Sequence, residues 1–392
     1  MKNDLIRGIR HSIFAAIRIL ERPANKQRRS REKFSEIRNF LFLQLESPLG
    51  SIVHATPVFE ALKCAVPGAS ISVATSAIAQ DVLALNLYID RCVPVPSPFE
   101  NFARSRSAVR EIVSSMPPGL SCIVTTVGNQ RTRLALLSAF TGERLRAGYT
   151  LAPELYDFPL PFNPERGQIE SNLDILRALG HNVSFCEPKI FFSEDESDYA
   201  AALLEPLSTS DALRVAFVTQ NSGGQANRWS DERFQQAITQ LIETRNVHPV
   251  FVGTSSDAGS IDGLRRGLPN AGISAAGKTS VRQLAALLAQ CDLVVSLDTG
   301  TFHVARAVGL PGVVIAPAWQ SAREWLPVGN PRYRVLQGPR IPAPYPGYEM
   351  AEISVEQVVR AATERLDGFP PSHESRKARV QNSLPSAAAL RQ

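Results

Sequence analysis

At 392 residues, 44% apolar and 20% charged, the chain has a globular composition and room for two domains with separate cores. No apolar run reaches the roughly 20 residues that span a bilayer. The cysteines (Cys64, Cys92, Cys122, Cys186, Cys291) show neither CxxC nor Cys/His spacing, which excludes a zinc framework and suits a reducing compartment. The net charge of +5 is concentrated at the start: residues 1–38 hold eleven Lys/Arg against four acids, and the rest sums to −2. The folded body therefore lacks the basic stripe of a nucleic-acid binder, and nucleic acid is not an expected partner.

Within residues 1–38, Leu5, Ile6, Ile9, Ile13, Phe14, Ile17 and Leu20 recur at helical spacing among arginines. Such a basic amphipathic extension either lies on an anionic membrane face or packs on the body. Arg18 interrupts the apolar run and no small-residue cleavage site follows, so a signal peptide is not expected. From Asn39 the pattern alternates. Strands are predicted at Phe40–Leu45, Ile71–Thr75, Arg91–Val95 and Cys122–Thr126, with helices over Ile52–Ala65, Ile78–Leu87 and Arg104–Ser115. The rhythm weakens between Tyr149 and Asp211, where prolines punctuate the chain and Ile169–Leu179 reads as a helix. It resumes with strands at Leu213–Gln220, Pro249–Gly253, Asp292–Ser296 and Val313–Ala316. Helices at Asp231–Thr244, Ser280–Ala289 and Thr301–Val308 lie between them. Alternation of this kind implies an α/β protein with parallel sheets and helices on both faces. The expected division is an extension (1–38), a first lobe (39–205), a second lobe (206–350), a closing helix (351–367) and a disordered tail (368–392).

Three segments fall where predicted strands end, the edge at which α/β sheets bind ligands. They are Leu49-Gly-Ser-Ile-Val-His-Ala-Thr-Pro57, Gln220-Asn-Ser-Gly-Gly-Gln-Ala-Asn-Arg-Trp229, and Asp298-Thr-Gly300. The last leads into an apolar helix carrying His303. Either Asp298 merely caps that helix, or the helix N-terminus with Thr299 and Gly300 holds a phosphate. Ser222, Gly223 and Gly224 form either a phosphate nest or a bare glycine turn.

Together the three segments resemble glycosyltransferase family 9, the heptosyltransferase family of lipopolysaccharide core assembly. That family carries a Gly-Asp motif near its start, a Ser/Gly-rich loop ending in K-x-W, and D-T-G-x-x-H-(L/V)-A-x-A-(L/V)-G-x-P near its end. Here Asp298, Thr299, Gly300, His303, Ala305, Ala307, Gly309 and Pro311 match the last of these. The resemblance implies a GT-B fold: two Rossmann-like lobes with parallel sheets facing a central cleft, acceptor on the first lobe, donor on the second. It implies an inverting, metal-independent sugar transfer with no cofactor and with a nucleotide diphosphate sugar, such as ADP-heptose, as donor. The acceptor would be a lipopolysaccharide-core or other glycan or glycolipid, and the enzyme would sit in the cytoplasm at the inner membrane face. Donor-binding positions so implied are Ser222, Gly223, Asn227, Arg228, Asp298, Thr299, Gly300 and His303, with His303 aiding the diphosphate when protonated; Lys278, in the Ala-Gly-Lys-Thr-Ser segment before a helix, either meets the nucleotide base or ribose or is a solvated loop lysine.

The chain departs from the family at charged positions. The family's general-base Asp is Ser51, its Lys before Trp is Asn227, and a basic residue at the end of the first strand is Leu45. An unassisted serine hydroxyl takes no proton near neutral pH. Glu46, in the same loop, and His54, one helical turn on, are the replacement candidates. Glu46 is otherwise a solvated loop acid, and His54 accompanies the Asp in some family members. Arg228 either clamps phosphate in place of the lysine or stacks on Trp229. A second reading follows: a GT-B shell that binds nucleotide sugars without catalysing transfer.

Overall fold

The computed structural model describes residues 34, 36–141, 145–207, 212–221 and 226–385. The amphipathic pattern before residue 34 lies outside them. Two compact units divide between Cys186 and Glu187.

The first unit runs β1 (Asn39–Gln44), α1 (Leu49–Ala65), β2 (Ser70–Thr75), α2 (Ala77–Leu83), β3 (Arg91–Pro94), α3 (Phe102–Ser114), β4 (Ser121–Thr125), α4 (Thr132–Ala139), β5 (Leu145–Tyr149), β6 (Phe158–Leu160) and α5 (Gln168–Ala178). Its strands form a parallel sheet in the order β3-β2-β1-β4-β5-β6. β1 is buried along its whole length, as Phe-Leu-Phe-Leu demands of a strand covered on both faces. The order reverses between β1 and β4. Chain and sheet part there, and the loops after those two strands face each other.

The second unit runs α6 (Glu194–Leu204), β7 (Leu213–Val218), α7 (Asp231–Arg245), β8 (Val247–Phe251), α8 (Ala258–Arg265), β9 (Ile273–Ser274), α9 (Val281–Ala289), β10 (Leu293–Leu297), α10 (Gly300–Ala307), β11 (Gly312–Ala316), α11 (Ala322–Trp325), β12 (Tyr333–Gln337), α12 (Val355–Gly368) and α13 (His373–Ser383). The sheet is parallel again, ordered β12-β11-β10-β7-β8-β9, with its reversal between β7 and β10. Val294 pairs with Ala216 and Ser296 with Val218, so β7 and β10 end side by side. Trp229 anchors the core: fully buried, it packs edge-on to Phe234 with ring centroids 4.7 Å apart and donates from Nε1 to the Ile353 carbonyl at 2.9 Å. Truncating it to Ala costs about 3–5 kcal/mol.

Two boundaries differ from the sequence expectation. The division falls before the expected 205/206 because α6 packs on the second unit. There Arg282 Nε lies 2.8 Å from Glu196 Oε1, and Gln290 donates to the Ser197 carbonyl at 3.0 Å. The tail expected to be disordered contains α13. Its N-terminus is capped by Ser372 and Ser375, and Arg376 grips Asp292 with two contacts of 2.7 Å. Buried partners on the body, not apolar periodicity, hold this helix. Among the described residues, no helix is long and apolar enough to cross a membrane.

Candidate functional site

The reversal between β7 and β10 is where an open α/β sheet leaves a crevice at its carboxyl edge. β10 runs into Asp298 and Thr299, and α10 begins at Gly300. Thr299 is the N-cap but its hydroxyl caps nothing. Thr299 Oγ1 is buried and has no hydrogen-bond partner among the described residues, and the same is true of Thr219 Oγ1 just past β7. The first N–H groups of a helix also lack intrahelical acceptors. Two adjacent strand ends thus carry buried polar groups suited to an anion, and Asp298 makes no side-chain cap of α10.

Asp298 has 10% of its side chain exposed and lies 3.8 Å from His303 Nε2. Burial, with the Glu324 charge adding to it, pushes the Asp298 carboxyl up to about 7. Burial, with the Arg306 charge adding, drives His303 down to about 3. The pair therefore holds one proton between roughly pH 3 and pH 7. His303 is neutral at physiological pH, which corrects the expectation that it serves as a cation. Its ring lies 6.0 Å from that of Trp325.

Asn227, at the family's lysine position, is buried and donates to the Asp298 carbonyl at 2.8 Å. Asn221 donates in turn to Asn227. An amide stitches the two strand-end loops together where a charge was expected. Trp319 Nε1 fixes the same loop through the Ala226 carbonyl at 2.6 Å. Arg228 is not stacked on Trp229. Its side chain is 62% exposed and lies 3.4 Å from Glu349. Lys278 donates to the Ser274 carbonyl at 2.8 Å, held beyond β9 rather than at the β7/β10 reversal. Ser222, Gly223 and Gly224 lie outside the described residues.

In the first unit the corresponding reversal is closed by its own side chains. Gln44 donates to Thr126 at 2.8 Å, Ser47 donates to Gln44 at 3.1 Å, and Asn129 donates to both Gln44 and Ser47. Ser51, in the first turn of α1, is wholly buried. Gly128 lies directly against it at φ +91°, where an added Cβ would come within 2.5 Å of Ser51 Oγ. Glycine is required there both by conformation and by space. Ser51 is thus a packing residue beneath the β4 loop, which corrects its placement among catalytic candidates. His54 is also buried, and its carbonyl accepts from Asn172 at 3.0 Å; it is not displayed for catalysis. Leu45 belongs to the apolar core. Glu46 alone of the three base candidates reaches the surface, with its carboxylate held by the Ser97 hydroxyl at 2.6 Å.

Sequence reasoning missed Glu324, which acts on Asp298 from α11, and Thr219, which mirrors Thr299. A hydroxyl at the end of the strand beside the motif strand was the legible signal for Thr219. Glu324 was legible only as an ordinary polar residue near the motif, with no role to read from its position.

Two parallel six-stranded sheets, each reversing at its centre, are those of the GT-B class of glycosyltransferases. The family model for glycosyltransferase family 9 (heptosyltransferase) matches residues 128–316. A putative glycosyltransferase of Haemophilus influenzae is 25% identical over 319 residues, covering 76% of this chain and 87% of that protein. Among solved structures, a glycosyl transferase family 9 protein from Veillonella parvula superposes with a TM-score of 0.75 at 20% identity. It covers 84% of this chain and 98% of that one. E. coli ADP-heptose lps heptosyltransferase II gives a TM-score of 0.67 at 19% identity, with 84% and 99% covered. Over residues 128–316 the chain is thus similar to glycosyltransferase family 9, the heptosyltransferases, and its fold is that of the solved protein of that family. The comparisons do not favour the reading of a shell without transfer activity.

Proposed function

We propose that this protein transfers a sugar from an ADP-linked donor, heptose or a close relative, to a lipopolysaccharide-core glycan or related glycolipid. The observation that carries the reading is the Asp298–Thr299–Gly300 turn: a buried hydroxyl and helix-start N–H groups beside the end of β7. As the acceptor hydroxyl attacks the anomeric carbon, the C–O bond to the diphosphate breaks and negative charge grows on the departing oxygen. Donors fixed where that charge develops each lower the barrier by about 3 kcal/mol. Asp298, half-protonated near neutrality, offers a hydroxyl to a phosphate oxygen. Adenine is supported by the likeness in fold to the E. coli ADP-heptose lps heptosyltransferase II.

Glu46 is the base we assign. It occupies the loop in which the family carries its Asp, one of its oxygens accepts from Ser97, and the carboxylate reaches the surface. The extension at 1–38 carries the charge for peripheral attachment to the inner face of an anionic membrane. The test is turnover of ADP-heptose labelled in the sugar, with purified lipopolysaccharide-core acceptor, following label into lipid and release of ADP. Transfer that disappears in Glu46→Gln supports the proposal. Binding of the donor with no transfer to any core acceptor overturns it.

A further inference from the structure

Phe99 and Phe140 stand exposed on the first unit, with 45% and 40% of their surface open. Each carries a guanidinium over its ring: Arg133 Cζ lies 5.3 Å from the Phe99 centroid, and Arg106 Cζ lies 5.7 Å from that of Phe140. The same arginines tie the backbone together. Arg133 Nη1 donates to the Pro98 and Phe99 carbonyls at 3.2 and 3.0 Å, and Arg106 Nε donates to the Phe140 carbonyl at 3.2 Å. Phe102 meets Phe140 edge-on with centroids 6.4 Å apart. The loop before α3, α3 itself and α4 therefore share one outer face.

Helical spacing extends the pattern. Phe102, Arg106 and Arg110 follow one stripe of α3, and Arg133, Leu136 and Phe140 follow one stripe along α4. On this face the exposed Arg106, Arg110 and Arg133 stand against one exposed acid, Glu100 in the loop. Each stacked guanidinium spends a single nitrogen on carbonyls and meets no carboxylate among the described residues, so its charge and its other N–H groups stay at the surface. Bare rings in water are a liability. Rings under cations suit the boundary between lipid headgroups and acyl chains, where the apolar body is buried and the charge meets phosphate. The face also continues into the proposed site: the Phe99 N–H donates to Ser97 Oγ at 3.1 Å, and that hydroxyl donates to Glu46 at 2.6 Å.

We infer that this face seats the first unit on an anionic lipid bilayer, with Phe99 and Phe140 entering the headgroup boundary and Arg106, Arg110 and Arg133 meeting lipid phosphates. Positive charge on the face complements the anionic surface. Unlike the basic extension at 1–38, this face belongs to the folded unit, and the loop that touches lipid is the loop that holds Glu46. The consequence for transfer rests on Glu46 as base: an acceptor anchored in the same leaflet reaches that carboxylate at the bilayer surface.

Cosedimentation of the full chain with phosphatidylglycerol/phosphatidylethanolamine vesicles tests this. The parent is compared with Phe99→Ser, with Arg106→Gln/Arg110→Gln, and with an Arg334→Gln/Arg360→Gln control that removes the same charge from exposed positions of the second unit, once their thermal midpoints agree. Both face variants should lower the partition coefficient about tenfold or more, with the control within about twofold of the parent. The extension is common to all four proteins, so its contribution cancels in the ratios. Partition unchanged in the face variants, or lowered equally in the control, overturns the inference. In a second arm the face variants should raise KM for a core acceptor embedded in vesicles and leave the kinetics on deacylated, soluble core unchanged. A parent that transfers to neither acceptor contradicts the proposed function, while the vesicle partition still decides the face.

Discussion

Replacing Asp298 by Asn removes a buried carboxyl while keeping its shape, and the consequence depends on pH in a calculable way. In the folded protein this carboxyl titrates at about 7, against 3.8 for the ordinary group. Between those values the folded state holds a proton that the unfolded state has released. The carboxyl's contribution to stability therefore falls as pH rises through the window. Each tenfold change in proton affinity is worth 1.36 kcal/mol, so the Asp298→Asn variant gains about 4 kcal/mol over the parent between pH 4 and pH 8. This is an upper value, since the side chain keeps 10% exposure. His303 works in the opposite sense. Its folded value, about 3, lies below the ordinary 6.5, so its contribution rises with pH across that interval. In the parent the two nearly cancel from pH 4 to 6.5; in the variant His303 stands alone and stability climbs with pH. All three tryptophans, Trp229, Trp319 and Trp325, lie in the second unit, so fluorescence-monitored urea unfolding reports on that unit alone. A gap between variant and parent that stays constant within about 1 kcal/mol from pH 4 to 8 would refute the buried-carboxyl reasoning.

Other outcomes follow from the same geometry. Glu46→Gln is expected to lower kcat for sugar transfer about 10²- to 10⁴-fold with donor affinity unchanged, measured by steady-state kinetics and calorimetry. His54→Gln should leave kcat within a few-fold of the parent, because His54 is a packing residue. Ser51→Asp restores the family's residue in name only: a carboxylate in that fully buried position beneath Gly128 should destabilise the first unit by several kcal/mol. Urea unfolding followed by far-ultraviolet circular dichroism, with the second unit identified by its tryptophans, reads this out. Asn227→Ala removes the 2.8 Å bond to the Asp298 carbonyl and should weaken ADP binding several-fold, a loss of about 1 kcal/mol visible by calorimetry.

The alternating Val/Ile runs made the parallel sheets legible, because a strand covered on both faces must be apolar along its length. β1, β7, β10 and β11 fell within two residues of expectation. Shorter elements were not legible. β6 has three residues and β9 two, and both exist through pairing with a neighbouring strand rather than through any local pattern. α13 carries few apolar residues and is held by Arg376 and Arg379 reaching onto the body, which no periodicity announces. At the site, Asp298, Thr299, Gly300 and His303 were readable as a motif, but their charge states were not. Protonation of Asp298 and neutrality of His303 come from burial and from Glu324 and Arg306. The sequence also marked position 51 as the place where chemistry had changed, without showing that Gly128 closes over it. Burial is a property of the assembled loops, so the candidacies of Ser51 and His54 could be decided only in three dimensions.

The central claim, that the Asp298–Thr299–Gly300 turn grips a diphosphate, is tested most directly by titrating ADP into the parent and Thr299→Val. Removing one hydroxyl that donates to a charged phosphate should cost about 2 kcal/mol, or about thirtyfold in Kd, with the folded state intact. An ADP affinity identical in the two proteins would contradict it.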